Sequence, residues 1–92
     1  MRITDVKIRK LTRENRLRAV MSVTFDGELA VHDIKIIEGD GRLFVAMPSR
    51  RNGEGVFKDI AHPINRETRQ YISDTLISEY KRACESESGH TV

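Results

Sequence analysis

Leu17, Ala19, Met21, Val23 and Phe25 occupy every second position of one stretch, with Arg18, Val20, Ser22 and Thr24 between them. A period of two belongs to a strand that turns one face to a core and the other to water. Asp26-Gly27 follows at once. Glycine accepts the positive φ of a type I′ turn, so this dipeptide beside an alternating strand marks a hairpin. The chain is thereby committed to antiparallel strands. In the next strand, 28 to 38, Leu29 and Val31 are odd whereas Ile34 and Ile36 are even. One extra residue near His32-Asp33 reconciles the two phases, which predicts a β-bulge there. Residues 2 to 10 carry Ile3, Val6 and Ile8 among charges, a further strand whose apolar phase slips between Ile3 and Val6. Thr12-Arg13-Glu14-Asn15 is its turn, and Glu38-Gly39-Asp40-Gly41 is the turn after the third strand.

The stretch 42 to 65 opens with the unbroken apolar run Leu43 to Met47, the pattern of a strand buried on both faces. Pro48 ends it, because proline cannot donate to a ladder. Arg50 and Arg51 then fall in a loop with Asn52, Gly53 and Gly55, and a return strand is expected over Val56 to Ile60. His62-Pro63-Ile64-Asn65 delivers the chain to a helix, for which Asn65 is the N-cap and Glu67 a favourable first-turn acid. Thr68, Ile72, Leu76, Tyr80 and Ala83, with Ile77, recur near helical spacing and form the face that docks on the sheet. Arg66, Arg69, Gln70 and Ser73 lie off that stripe. From Glu85 to Val92 no apolar pattern remains, so a disordered tail is expected. The fold class is α+β: one domain over 1 to 84, an antiparallel meander of four or five strands followed by a C-terminal helix.

A chain of 92 residues has a modest core, and a meander leaves strand edges open, so a homodimer through β-strands is expected. No apolar run is long enough to span a membrane, and the segment from Met1 to Asp5 lacks a signal peptide's apolar stretch. The one cysteine, Cys84, excludes an internal disulfide and fits a reducing cytoplasm. No enzyme is expected, because no convergent set of nucleophile, acid and base appears. His32 and Asp33 are strand neighbours, and His62 precedes a proline near the basic loop, where it could pack or meet a ligand. Asp59 is assigned to capping the turn rather than to orienting His62. Cys84 and His90 lack the further partners a metal site needs, and no cofactor is expected.

The net charge is only +2, yet its distribution is uneven. Arg2, Lys7, Arg9, Lys10, Arg13, Arg16 and Arg18 crowd the N-terminal segment. Arg50, Arg51, Lys58, Arg66 and Arg69 share one end of the domain if the return strand is short and the helix starts beside it. Arginine's planar fork suits phosphate, and a helix N-terminus adds amide donors. These residues are the candidate nucleic-acid site, set against the plainer reading of solvated charges paired with Glu54, Asp59 and Glu67. Phe25, Phe44 and Phe57 read as internal, leaving Tyr71 as the one candidate for stacking and arguing against a base-stacking platform.

Four blocks resemble the stage V sporulation protein G, or septation protein, family. They are Val23-Thr24-Phe25; Val31-His32-Asp33-Ile34-Lys35 leading to Ile37-Glu38-Gly39; Gly41-Arg42-Leu43-Phe44-Val45-Ala46-Met47-Pro48-Ser49-Arg50-Arg51; and Phe57-Lys58-Asp59-Ile60-Ala61-His62-Pro63-Ile64-Asn65. The resemblance implies a bacterial cytoplasmic regulator linked to septation and sporulation, which binds DNA and RNA. It also implies an antiparallel sheet with a C-terminal helix, and a homodimer made through β-strand contacts. Positive charge after the Met-Pro-Ser motif and on the helix, here Arg50, Arg51 and Arg66, is what the family resemblance assigns to nucleic acid. The competing expectation is a protein-interaction module of the division machinery, acting by β-edge contacts.

Overall fold

The computed structural model describes residues 1–12 and 15–89, with side chains through Glu85. Strands β1 (Ile3–Leu11), β2 (Leu17–Phe25), β3 (Leu29–Gly39) and β4 (Arg42–Ala46) form one antiparallel meander in the order β1-β2-β3-β4. Strands β5 (Ser49–Arg51) and β6 (Phe57–Asp59) form a separate two-stranded hairpin, and helix α1 (Arg66–Gly89) follows. The meander with a C-terminal helix is the architecture expected. The segment carrying Arg50 and Arg51 is a strand rather than a loop, and the return strand is shorter than Val56 to Ile60.

Apolar phase governs the sheet, and bulges restore it wherever the sequence slips. Met21 pairs with Ile34 and Val23 with Val31, so Ser22 faces both His32 and Asp33. This is the bulge that the odd-to-even switch predicts, and Asp33 takes a φ of +61° to make it. In β1, Ile3 pairs with Phe25 and Asp5 with Thr24, leaving Thr4 as the extra residue. The Thr4 hydroxyl donates to the Thr24 carbonyl at 3.3 Å and accepts the Gly27 N–H at 2.9 Å, so the slipped residue holds the next turn. That turn has φ of +54° at Asp26 and +63° at Gly27, as type I′ demands, and the Glu28 N–H donates to the Phe25 carbonyl at 2.9 Å. Asp40 and Gly41 repeat the positive φ pair between β3 and β4. Of the turn expected at Thr12-Arg13-Glu14-Asn15, Arg13 and Glu14 lie outside the described residues; the Thr12 N–H donates to the Arg18 carbonyl at 2.9 Å.

With the phases aligned, Ala19, Met21, Val23, Phe25, Ile34 and Ile36 meet Ile72, Leu76 and Tyr80 in one buried cluster. The helix packs against β1, β3 and β4. Its buried stripe is the one its spacing predicts, and Thr68, Ile77 and Ala83 border it half-buried. Strand β4 departs from expectation: it is an edge strand, and Phe44 is 45% exposed. One helix can cover only one face of a sheet, so the unbroken apolar run is not buried on both sides. The helix also runs past Cys84 to Gly89, so the segment expected to be disordered from Glu85 is helical through Gly89. Glu and Ser at these positions have adequate helix propensity, and the helix propagates into them from its packed turns. His90, Thr91 and Val92 lie outside the described residues.

The central position of Leu76, fully buried, sets a prediction. Leu76→Ala lowers unfolding free energy by about 2–5 kcal/mol through lost transfer and a residual cavity. Leu29→Ala, on an exposed side chain, costs well under about 1 kcal/mol. Urea denaturation of both variants checks the contrast.

Candidate nucleic-acid interface

The hairpin is built by Asn52. Its N–H donates to the Val56 carbonyl at 2.9 Å, and its Oδ1 accepts the N–H groups of Glu54 at 2.9 Å and Val56 at 3.1 Å. The Gly55 N–H closes on the Asn52 carbonyl at 3.0 Å, with Gly55 at φ +82°. An asparagine side chain that mimics a turn in this way makes a defined loop from a segment with no apolar content. The glycines after Asn52 carry the signal for it in the sequence. At the hairpin's base the Ile60 N–H donates to the Pro48 carbonyl at 2.7 Å, tying its two arms where β4 has ended.

Register divides the predicted cations. Arg50 lies directly opposite Lys58, so both project from one side of the ribbon. Arg51 lies opposite Phe57 on the other side, with its guanidinium carbon 5.9 Å from the ring centroid and its Nε donating to the Gly55 carbonyl at 3.4 Å. Arg50 and Arg51 therefore do not form a single fork. Phe57 is 68% exposed, not internal as its sequence context suggests. A two-stranded ribbon has no second layer to bury it, and its partner is a cation. Tyr71, the expected stacking residue, instead accepts the Ile3 N–H on its hydroxyl at 2.9 Å and ties β1 to the helix.

Arg66 and Arg69 sit at the helix start, where Asn65 Oδ1 accepts the Thr68 N–H at 2.8 Å and completes the expected N-cap. They line a shallow depression of about 280 Å³ with Pro63, Ile64 and Asn65, and the hairpin's cations take no part in it. The five predicted residues are thus two exposed groups, one on the hairpin and one on the helix start, joined by residues 60–65. Among the described residues, no ion pair engages any of them, the pairs being Arg18–Glu38 at 3.0 Å and Glu79–Arg82 at 3.4 Å. Among the described residues, Glu54, Asp59 and Glu67 form no ion pair with these cations. His62 is exposed, its Nδ1 3.2 Å from the Pro63 carbonyl. Asp59 lies opposite Ser49 in the hairpin.

Beside the helix start lies an apolar cleft of about 430 Å³, lined in part by Met1, Leu29, Val31, Met47, Ile64 and Ile72. Ile60 and Ile64 are 68% and 89% exposed, and with Phe57 they put large apolar side chains into solvent on the hairpin and on its connection to the helix. No helix of the described residues is long and apolar enough to cross a membrane, and among them no group of His, Cys, Asp and Glu is arranged to hold a metal ion.

Asn65→Ala lowers stability by about 0.5–2 kcal/mol, because it leaves a first-turn amide unsatisfied. Asn65→Asp restores most of the loss, and urea unfolding reads both.

The chain matches the SpoVG family model over residues 1–82. It is 57% identical over 90 residues to a protein of Thermoanaerobacter sp. (strain X514) named "Putative septation protein SpoVG", covering 98% of each chain. Proteins of the same name from Caldanaerobacter subterraneus subsp. tengcongensis and Alkaliphilus metalliredigens are 58% identical over 88 residues and 60% identical over 80. The first covers 96% of this chain and 97% of the relative, and the second 87% and 82%.

Proposed function

The chain belongs to the SpoVG septation-protein family, and from that premise we propose that it is a cytoplasmic bacterial regulator of septation and sporulation that binds DNA and RNA. It acts by contact and catalyses no reaction. Arg50 and Lys58 bind phosphates from one side of the hairpin. Arg51, spread over Phe57, offers a cation and a ring to a base or sugar. Arg66 and Arg69 position the backbone where helix amides point outward.

One observation carries this reading: Arg50 and Lys58 are cross-strand neighbours with no ion-pair partner among the described residues. Like charges directly opposite destabilise a ribbon. An anion from outside the chain relieves that repulsion, and a polyanion relieves it at several cations together.

A homodimer completes the proposal. Strand β1 is a poor edge for pairing, since it carries bulges at Thr4 and Arg9 and exposed Lys7 and Lys10. The β4 and hairpin side is open; Phe57, Ile60 and Ile64 are exposed, and Ile64 lines the apolar cleft. An exposed apolar set beside an apolar cleft is self-complementary across a two-fold axis. The same open edge supports the second reading, in which a division-machinery protein adds a strand to β4. A protein partner that co-purifies from nuclease-treated lysate distinguishes it.

If each dimer neutralises four to six phosphates, log affinity for duplex DNA falls with log salt at a slope of about −4 to −5. Arg50→Ala/Arg51→Ala weakens binding and flattens that slope by about one for each arginine removed from contact. Fluorescence anisotropy across a salt series measures both, and an unchanged double variant overturns the assignment. Light scattering at micromolar concentration gives twice the chain mass for the wild type. Ile60→Asp/Ile64→Asp gives a monomer with an intact helix signal by circular dichroism.

A further inference from the structure

The four-stranded sheet has a second face, and the helix does not touch it. Residues directly opposite one another across strands share a face. Lys7 pairs with Ser22, and Lys10 and Lys35 both pair with Val20, so these lysines stand on the side away from Ala19, Met21 and Val23. Arg9, the extra residue of the second β1 bulge, joins them, its Nε donating to Ser22 Oγ at 3.1 Å. His32, on the β3 bulge, approaches the same hydroxyl with Nδ1 at 2.9 Å. Between these walls β2 contributes Val20, Ser22 and Thr24, with Leu17 farther along the same face, and Ser22 is buried by its neighbours. The result is a trough with a floor of small side chains, walled by cations from β1 on one side and β3 on the other. Among the described residues Lys7, Lys10 and Lys35 have no ion pair. Two acids share the face: Asp5, opposite Thr24 and one same-face position along β1 from Lys7, and Asp33, on the bulge opposite Ser22.

Phe44 closes one end of this face. It pairs with Ile37, which pairs with Leu17, and all three lie on the outer side. Its ring lies over Gly39, where a Cβ would come within 3.0 Å of Phe44 Cζ and 2.7 Å of an Arg16 guanidinium nitrogen. Glycine at that position lets an aromatic ring and a guanidinium sit together against bare backbone, with the ring 45% exposed.

We infer that this face is a second nucleic-acid surface, selective for a single strand, with the backbone running along β2 between Lys7, Arg9 and Lys10 on one wall and Lys35 on the other, and a base stacked on Phe44. Strands are about 4.8 Å apart, so the Lys10 and Lys35 backbones stand about 10 Å apart, room for one sugar–phosphate chain. A four-stranded sheet presents a front wider than the roughly 12 Å major groove, so this face cannot enter a duplex to read it. A cationic groove with an aromatic platform is the chemistry that holds unpaired bases. The inference rests on the reading that the chain binds nucleic acid, but it assigns different residues and a different form of the ligand.

The test compares Lys7→Ala/Lys10→Ala/Lys35→Ala with Arg50→Ala/Arg51→Ala by fluorescence anisotropy, using labelled oligo(U) RNA and a DNA duplex of equal length. The triple variant is expected to lose affinity for oligo(U), with a log–log salt slope shallower by about 2, and to lose less for duplex. Phe44→Leu weakens oligo(U) binding by about five- to a hundredfold and leaves the salt slope unchanged, because stacking releases no counterions. Wild-type affinity and slope in the triple variant, with binding lost in the arginine variant, overturn this inference and leave the hairpin reading standing. Wild-type protein that binds neither probe overturns both.

Discussion

Burial of one face of the meander against the stripe Ile72, Leu76 and Tyr80 is the constraint on which the rest depends. A single helix has one apolar stripe and covers one side of a sheet, so every strand must send its large side chains to that side. Where the sequence breaks step, the backbone yields: Thr4, Arg9 and the His32-Asp33 pair are bulged so that Val6, Ile8, Ile34 and Ile36 stay inward. A one-residue slip would otherwise turn each following side chain to the wrong face. Bulges are thus the means by which a charged, modestly apolar chain keeps one continuous core.

The same constraint decides where charge collects. With the inner face spent on packing, the lysines and arginines of β1 and β3 must stand on the outer one. Ser22 is the hinge between these two requirements. It sits in the middle strand between core residues Met21 and Val23, yet its hydroxyl faces outward to Arg9 and His32. The hairpin of β5 and β6 is the complementary case: with no second layer it can bury nothing, so Phe57 pairs with Arg51 and the cations remain exposed. Basic residues next to exposed aromatic rings, on the hairpin and on the sheet, are the chemistry the functional reading draws on.

Much of this is legible in the order of the amino acids alone. The alternation of β2, the Asp26-Gly27 turn, the phase switch at His32-Asp33, the Asn65 cap and the helical stripe are each local statements, enforced by steric and hydrogen-bonding rules acting over a few residues. The basic candidates are legible as residue types too. What fails is the inference from local apolarity to burial. Leu43 to Met47 reads as a doubly buried strand, yet β4 is an edge with Phe44 in solvent. Phe57 reads as internal for the same reason and is not. Apolar content says that a residue gains from burial; it does not say that a partner layer exists to bury it.

By itself, then, the sequence determined the succession of the first four strands and the helix, the Asp26-Gly27 turn, and the breaks in phase at His32-Asp33 and between Ile3 and Val6, since these follow from dihedral preference and the period of two. Only the tertiary structure decided which strand lies at an edge, which face the helix takes, and that Arg50 and Arg51 project to opposite sides of a ribbon while Lys7, Lys10 and Lys35 meet on one face. The reason is physical: those outcomes depend on contacts between residues far apart in the chain, and packing against a single helix selects among arrangements that local preferences leave equal.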